Sequence, residues 1–217
     1  MVRLPSFKRR SRRTDIWPPL WRRRPVVVVL LVVAVAWVVY SRTQRPLADD
    51  YDRYHNRTFT CVRVVDGDTL DVDAPDGQHP TTRIRLWGVD TPEVAGRSGP
   101  AMYFGPEASA FVKDQLAGQP VRLVLAPQRT RCIYGRLLAY VYFGQPAQML
   151  NEQLLEQGYA YADRRFPHIW AERFVELETR ARRQKVGLWE NVTLADMPAW
   201  RQRYEQWREE VTSTDSE

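Results

Sequence analysis

Cysteine and histidine are both scarce in this chain. Two cysteines, Cys61 and Cys132, occur in 217 residues, and neither stands in a CxxC or Cys/His cluster. This excludes a disulfide scaffold and argues against zinc, because both need several closely spaced ligands. The three histidines are scattered without the spacing of metal ligands. One disulfide between the two cysteines stays open, provided that their Cα atoms approach within about 7 Å.

Internal repeats are absent as well, at periods of about 20 to 50 residues, so a repeat architecture is not expected. Hydrophobic residues make up 44% of the chain, which is enough to bury a core of ordinary size. The formal net charge is +6, but residues 1–24 alone carry +8 and the remainder carries −2. Bulk charge therefore does not predict binding to a polyanion, and any such binding must depend on individual arginines.

One apolar run stands near the N-terminus, VVVVLLVVAVAWVVY at 26–40, directly after three arginines and a proline. As a helix it reaches about 22 Å, short of the roughly 30 Å hydrocarbon core of a bilayer. Flanking arginine and aromatic side chains can bridge such a mismatch. We expect a transmembrane anchor at 25–41 after a basic tail at 1–24. The alternatives are a buried strand or a cleaved signal segment.

Charge around this run predicts an orientation. Nine basic residues precede it and three acidic residues follow it closely. The positive-inside rule then predicts a single-pass protein with a cytoplasmic N-terminus and an extracytoplasmic main domain, or a secreted domain if the segment is cleaved. We expect a linker at 42–56, the main domain at 57–192, and a C-terminal tail at 193–217 that is partly helical or disordered.

Strand and helix patterns in the main domain predict its fold class. Short strand patterns occur at five places: 58–65, 68–73, 82–88, 120–126 and 136–143. Helical periodicity occurs at three: 105–118, 147–158 and about 168–185. This order predicts an α+β fold, a five-stranded OB-type Greek-key β-barrel with about three α-helices, preceded by one N-terminal hydrophobic transmembrane helix.

The sequence Asp66-Gly67-Asp68 stands between the first two predicted strands. Asp-Gly alone favours a hairpin turn, because glycine accepts the positive φ of a tight turn. Asp68 is different, since strand alternation places it on the same face as Leu70 and Val72. If those two side chains face the barrel interior, the Asp68 carboxylate does too. A charge there costs several kcal/mol unless it is paired or binds a cation.

A second acidic stretch, RIRLWGVDTPE at 83–93, covers the third predicted strand and the bend after it. Alternation places Asp90 in phase with Leu86, unless a bulge intervenes. If Asp68 and Asp90 meet across adjacent strands, two like charges about 5 Å apart repel by roughly 3 kcal/mol at an effective dielectric near 20. A hard divalent cation turns this repulsion into attraction, and oxygen ligands of this kind suit calcium.

Two arginines and a further carboxylate accompany these acids. Arg85 lies within the third predicted strand, Arg136 opens the fifth, and Glu93 follows Pro92 in the bend. A planar guanidinium offers a donor fork that matches a phosphate. A metal ion, two arginines and a spare carboxylate together predict a site for a phosphodiester.

These stretches, in this order, resemble the staphylococcal nuclease family. The matching segments are VVDGDT at 64–69, RLWGVDTPE at 85–93, GPEASAF at 105–111, YGRLLAYVY at 134–142, LNEQLLEQGYA at 150–160 and GLW at 187–189. The resemblance covers about 58–190. It implies an OB-type barrel with three helices and calcium-dependent hydrolysis of DNA and RNA that leaves 3′-phosphate ends.

The resemblance also implies roles for individual residues. The implied calcium ligands are Asp68, Asp90 and the carbonyl of Thr91, with Asp66 close to the metal. The implied catalytic set is Arg85, Glu93 and Arg136, and Tyr134 is implied to contact the nucleotide. The chain departs from the family at Ile133, where relatives often carry a basic residue, and in a turn before Tyr134 that is one residue longer.

Three functions stay open on the sequence. The first is a calcium-dependent nuclease for DNA and/or RNA, tethered to a membrane through 25–41 and acting as a monomeric catalytic domain. The second is a non-catalytic nucleic-acid- or protein-binding module on a nuclease-like barrel, and the third is a hydrolase of another phosphodiester. A binding module can lose its acids, whereas this chain keeps all five charged positions: Asp68, Arg85, Asp90, Glu93 and Arg136.

Overall fold

The computed structural model describes residues 24–96, 99–127 and 129–214, with the backbone alone at 24–27, 39–48, 212 and 214. The basic tail predicted at 1–24 lies outside the described residues except for its last position. The chain separates into two compact units, Met1–Pro46 and Leu47–Glu217. The second unit contains the whole predicted barrel domain and the candidate site.

The apolar run lies in helix α1 (Arg24–Tyr54). The side chains described at 28–38 are all exposed. Among the side chains that the structure describes, no helix combines the length and the apolar character needed to cross a membrane.

The linker predicted at 42–56 needs correction, because α1 continues through this segment to Tyr54. Tyr54 is fully buried, and its hydroxyl donates to the Pro75 carbonyl at 3.3 Å. Asp50 is also buried and pairs with Arg131 at 2.7 Å. The last turns of the helix are therefore part of the folded domain rather than a spacer.

Eight strands lie among the described residues of the second unit: β1 (Arg57–Val64), β2 (Thr69–Val72), β3 (Thr82–Leu86), β4 (Val89–Asp90), β5 (Pro120–Leu125), β6 (Leu137–Phe143), β7 (Gln148–Met149) and β8 (Tyr161–Ala162). The main sheet has the order β3-β2-β1-β5-β6-β7, with antiparallel neighbours. A parallel pairing of β3 with β6 closes five of these strands into a barrel. The predicted five-stranded OB-type barrel is confirmed, and β4 with β8 forms a separate short pair.

Three predicted helices are also present: α2 (Gly105–Leu116), α3 (Leu150–Glu156) and α4 (Ala171–Gln184). Each buries an apolar face against the barrel core, through Leu116, Leu154 and Phe174 respectively. A further helix, α5 (Ala199–Thr214), lies in the tail predicted at 193–217. Short 3-10 turns at Gly187–Glu190 and Leu194–Asp196 connect α4 to α5.

Buried ion pairs join α5 to the rest of the domain. Arg201 is 1% exposed and donates to Glu178 and to Glu205, each at 2.9 Å. Arg182 on α4 also donates to Glu205 at 2.9 Å. Buried charges are costly unless they are paired and hydrogen-bonded, and here each acid faces at least one arginine. The first half of α5 is therefore packed against α4 rather than solvated.

The barrel core fixes which way the acidic side chains point. Leu70, Val72, Ile84 and Leu86 are each at most 1% exposed. Burying a side chain of this kind stabilises a fold by about 1.5–3 kcal/mol, so the register of β2 and β3 is strongly determined. Asp68 precedes β2 in phase with Leu70, and only 2% of its surface is exposed.

Candidate active site

Gly67 makes the close approach between the β1–β2 turn and the segment after β4 possible. A Cβ at this position would lie 2.8 Å from Thr91 Oγ1 and 2.9 Å from Thr91 Cβ. Gly67 is not among the glycines with positive φ. A tight positive-φ turn therefore does not explain this glycine, and the reason for glycine here is space. The turn itself is closed by the Asp66 carboxylate, which accepts from the Asp68 N–H at 3.0 Å.

Asp68 is the buried carboxylate of the site. Its Oδ2 accepts from the Thr91 N–H at 3.0 Å and from Thr91 Oγ1 at 3.3 Å. Its Oδ1 accepts from Thr69 Oγ1 at 3.0 Å and contacts Arg85 Nη1. Four donors around one carboxylate satisfy a charge that would otherwise be costly to bury. The structure thus brings Asp68 and Thr91 together, through the N–H and the hydroxyl of Thr91.

Arg85 bridges the two acids. Its Nη1 contacts Asp68 and its Nη2 contacts Asp90, while 14% of the side chain is exposed. One guanidinium spans only a few ångströms, so the carboxylates of Asp68 and Asp90 lie close together. The positive charge of Arg85 thus lies between two carboxylates that would otherwise repel each other.

Asp90 is held by two further side chains that the sequence reasoning missed. Arg165 lies 3.1 Å from Asp90 Oδ1, and the Trp200 indole donates to Asp90 Oδ2 at 2.7 Å. Arg165 also pairs with Asp163 at 2.8 Å. The motif around Asp90 gives no signal for these contacts, because they come from the chain after β8 and from α5.

A cleft of about 460 Å³ opens beside this cluster. Five of the eight predicted site residues line it: Arg85, Asp90, Glu93, Tyr134 and Arg136. The remaining three are not among its lining residues: Asp68 and Thr91 are buried and Asp66 is half-buried. Its other charged lining residues are Arg129, Asp163 and Arg165. The cleft therefore combines guanidinium groups with carboxylates. The guanidinium groups suit an anionic ligand, and the carboxylates suit a cation bound together with it.

Glu93 stands at the mouth of the cleft on a backbone fixed by α2. The Met102 N–H donates to the Glu93 carbonyl at 2.9 Å, and a Cβ on Gly105 would lie 2.2 Å from the same oxygen. Partial desolvation raises the pKa of the Glu93 carboxyl, and the charges of Asp66 and Asp90 raise it further. A carboxyl with a raised pKa is a better proton acceptor than an ordinary glutamate.

Arg136 and Tyr134 belong to one tight turn before β6. The Cys132 N–H donates to the Arg136 carbonyl at 3.0 Å, and the Gly135 N–H donates to the Cys132 carbonyl at 2.9 Å. The Arg136 guanidinium lies 5.5 Å from the centre of the Tyr134 ring, which is 76% exposed. Arg136 Nε also donates to Cys132 Sγ at 3.4 Å. The turn presents an arginine fork and an aromatic face to the same cleft.

The two cysteines do not pair; both thiols are free. Cys61 is fully buried, and desolvation raises its pKa. Burial also opposes ionisation of Cys132, but hydrogen bonds and charge from Arg136 outweigh it, so the Cys132 pKa is lowered. A thiol lining the cleft is a feature that the spacing of the cysteines does not predict.

No group of three or more His, Cys, Asp or Glu side chains within the described ranges is arranged to bind a metal. A metal at this site would therefore depend on two carboxylates, from Asp68 and Asp90, with a backbone carbonyl and water. The donor chemistry fits a hard cation, since all these ligands are oxygens. The guanidinium of Arg85 between the two acids is the observation that supports the fit, because it marks a place for positive charge.

Comparison with known proteins identifies the fold family. The family model for staphylococcal nuclease homologues matches residues 83–191. The thermonuclease of Staphylococcus hyicus is 34% identical over 167 residues, which cover 76% of this chain and 94% of that protein. The chain belongs to the staphylococcal nuclease family. It is therefore a nuclease, an enzyme that hydrolyses phosphodiester bonds.

Two further relatives are similar to this chain over much of their length. The thermonuclease of Staphylococcus intermedius is 33% identical over 172 residues, covering 77% of the chain and 99% of the relative. Endonuclease Htp3 of Saprolegnia parasitica is 36% identical over 158 residues, covering 62% of this chain and 72% of that protein. The family match at 83–191 includes Arg85, Asp90, Glu93 and Arg136, whereas Trp200 on α5 lies beyond it.

Proposed function

We propose that this nuclease hydrolyses DNA and/or RNA by calcium-dependent attack of water, and that residues 25–41 tether it to a membrane. One observation carries the proposal. Arg85 bridges Asp68 and Asp90 at the edge of a cleft that Glu93 and Arg136 also line. An acidic pair that can bind a cation and two arginine forks that can bind a phosphate then lie beside the carboxylate of Glu93.

Calcium would be held by Asp68, Asp90 and the Thr91 carbonyl, with waters completing the shell. When bound, it supplies Lewis-acid stabilisation of negative charge on the phosphoryl oxygens. When the Arg85 guanidinium releases the two carboxylates, its donor fork becomes available to the substrate phosphate. The same side chain thus neutralises the acids before substrate binds and contacts the phosphate afterwards.

The remaining roles follow from position and charge. Glu93 orients a water and accepts its proton, a role supported by its raised pKa and its place at the cleft mouth. Arg85 and Arg136 donate to the oxygens on which charge develops in the transition state. Asp66 fixes the turn that carries Asp68.

Substrate contact is supported by the exposed turn before β6. Tyr134 presents an exposed aromatic face next to Arg136. Aromatic faces stack on bases without strong sequence preference, and arginine forks bind the backbone phosphate. All proposed site residues come from one chain, which is compatible with a monomeric catalytic domain.

The tether and its orientation are further parts of this proposal. Eleven consecutive residues at 28–38 are exposed in helix α1, and most of them are large and apolar. Such a surface is unfavourable in water. The basic residues before it support a cytoplasmic N-terminus, with the nuclease domain extracytoplasmic or, after cleavage, secreted. Alkaline washing of membranes tests the tether, since the full chain should stay in the pellet and a 47–217 fragment should not.

The alternative is a binding module without catalysis. It predicts that nucleic acid binds but is not cut. The experiment compares cleavage of single- and double-stranded DNA and RNA by the full chain in detergent, with calcium and with chelator. Glu93→Gln is the test variant, and Glu107→Gln, an exposed glutamate of α2, is its matched control. Cleavage that needs calcium and is lost only in Glu93→Gln supports the nuclease, whereas binding without cleavage supports the alternative.

A further inference from the structure

We infer that Trp200 on the C-terminal helix α5 is a positioning residue for Asp90 and thereby for the cation site. Its indole N–H donates to Asp90 Oδ2 at 2.7 Å, a short bond between a neutral donor and a carboxylate. Trp200 lies outside the segment 83–191 that matches the family. The inference rests on the proposed calcium role of Asp90.

The two oxygens of Asp90 have different partners. Arg85 and Arg165 contact Oδ1, whereas Trp200 donates to Oδ2. Contacts to one oxygen leave the carboxylate free to rotate about its Cβ–Cγ bond, and a donor on the other oxygen fixes that rotation. The indole is also the uncharged donor among the three, so it does not repel an approaching cation as a guanidinium does.

The indole is held on several sides. The Arg165 guanidinium lies 4.6 Å from the Trp200 ring, and the Tyr161 ring packs edge-on with centroids 6.5 Å apart. The next residue, Arg201, is 1% exposed and ion-paired with Glu178 and Glu205. Because a buried network fixes the backbone beside it, the Trp200 ring can rotate little. Its hydrogen bond therefore also limits rotation of the Asp90 carboxylate.

Hydrogen bonds that orient a metal ligand contribute to affinity. Losing one typically weakens metal binding or activity by about 10- to 100-fold. Trp200 therefore makes α5 part of the cation site, although α5 contributes no ligand of its own. The segment after residue 191, where the family match ends, is therefore necessary for tight calcium binding.

The test is calorimetric titration of the full chain in detergent with calcium alone, without substrate. The variant Trp200→Phe keeps the aromatic packing and removes the N–H donor. Trp207→Phe is the matched control, the same change on the exposed side of the same helix. We expect Trp200→Phe to raise the calcium Kd by about tenfold or more, and Trp207→Phe to leave it unchanged. Saturating calcium should return the turnover of Trp200→Phe to near the wild-type value.

An unchanged calcium Kd in Trp200→Phe, with wild type binding normally, overturns the inference and leaves the proposed function intact. A wild-type chain that binds no calcium removes the proposed calcium dependence and the inference with it. If Trp200→Phe does not fold, a calcium-bound wild-type crystal structure decides: Trp200 Nε1 must lie within about 3.2 Å of an Asp90 oxygen, and a longer distance overturns the inference.

Discussion

Arg131 and Asp50 form a two-pronged ion pair between the turn that carries Arg136 and the end of helix α1. Arg131 Nη2 lies 2.7 Å from Asp50 Oδ1, and Nε lies 2.9 Å from Oδ2. The same guanidinium donates to Asp76 at 2.6 Å and to the Gly135 carbonyl at 3.0 Å. One side chain thus joins the N-terminal helix, the turn after β2 and the turn that presents the substrate contacts.

Asp50→Asn should destabilise the domain and weaken substrate binding. Asp50 is buried and accepts from Thr130 and Arg131, and losing hydrogen bonds to a charged group typically costs about 1.5–3 kcal/mol. Arg131 keeps Asp76 as an ionic partner, so its charge is still compensated. We expect a lower free energy of unfolding and a raised KM, since the turn holding Tyr134 loses a fixed point. Denaturant unfolding and steady-state kinetics measure both. Glu156→Gln, which breaks the exposed pair with Arg180, is the control and should change stability by less than about 1 kcal/mol. An Asp50→Asn chain as stable as wild type would contradict the structural role of Arg131.

Arg85→Lys should reduce turnover by about 100-fold or more. Lysine keeps the positive charge but loses the fork that contacts two groups at once. Arg83→Lys is the matched control, because Arg83 lies on the same strand, is 48% exposed in its side chain and pairs with Asp71 away from the cleft. Measured kcat should fall in the first variant and stay near wild type in the second. Wild-type turnover in Arg85→Lys would remove Arg85 from the catalytic set.

Cys132 should be the reactive thiol of the folded chain. The thiolate is the reacting species, and the Cys132 pKa is lowered from its ordinary value whereas the pKa of buried Cys61 is raised. Iodoacetamide should therefore modify Cys132 at a pH where Cys61 stays unmodified, which peptide mass spectrometry measures. The adduct occupies the cleft beside Arg136, so cleavage activity should fall in step with modification. Cys132→Ser is the control, and the reagent should leave its activity unchanged. Equal labelling of both cysteines in the native chain would refute this environment.

Glu205→Gln should destabilise the domain in a pH-dependent way. Burial opposes ionisation of Glu205, but the charges of Arg201, Arg182 and Arg208 outweigh it, so its pKa is lowered from the ordinary 4.5. The wild-type advantage is then complete above about pH 4.5 and shrinks as pH falls through the lowered folded-state pKa. Urea unfolding of both chains across pH measures the difference. Glu209→Gln, an exposed position on the same helix, should show no such dependence. A stability gap that widens on acidification would contradict the sign.

The sequence predicts the barrel because its signals are local. Strand alternation around Leu70 and Ile84 gives the inward face, and glycine ends the predicted helices, so five strands and three helices are found where expected. The inward orientation of Asp68 follows from the same alternation. These features need only short-range periodicity and the neighbour relations of a closed sheet.

Other features depend on contacts between distant segments. The α1 continuation through the predicted linker reflects Asp50 pairing with a residue 81 positions away. The contact of Trp200 with Asp90 spans 110 positions. Neither pair has a periodic pattern or a motif spacing, so nothing in either segment alone identifies its partner. The close approach of Gly67 to Thr91 is likewise visible only in three dimensions.

The most direct measurement is a crystal structure of the chain with calcium. We expect one calcium ion with oxygens of Asp68, Asp90 and the Thr91 carbonyl at about 2.4 Å. We also expect the Arg85 guanidinium to have left the space between the two carboxylates and to point into the cleft beside Arg136. A structure in which Arg85 still bridges the two acids at saturating calcium, with no ion on either carboxylate, would contradict the central claim.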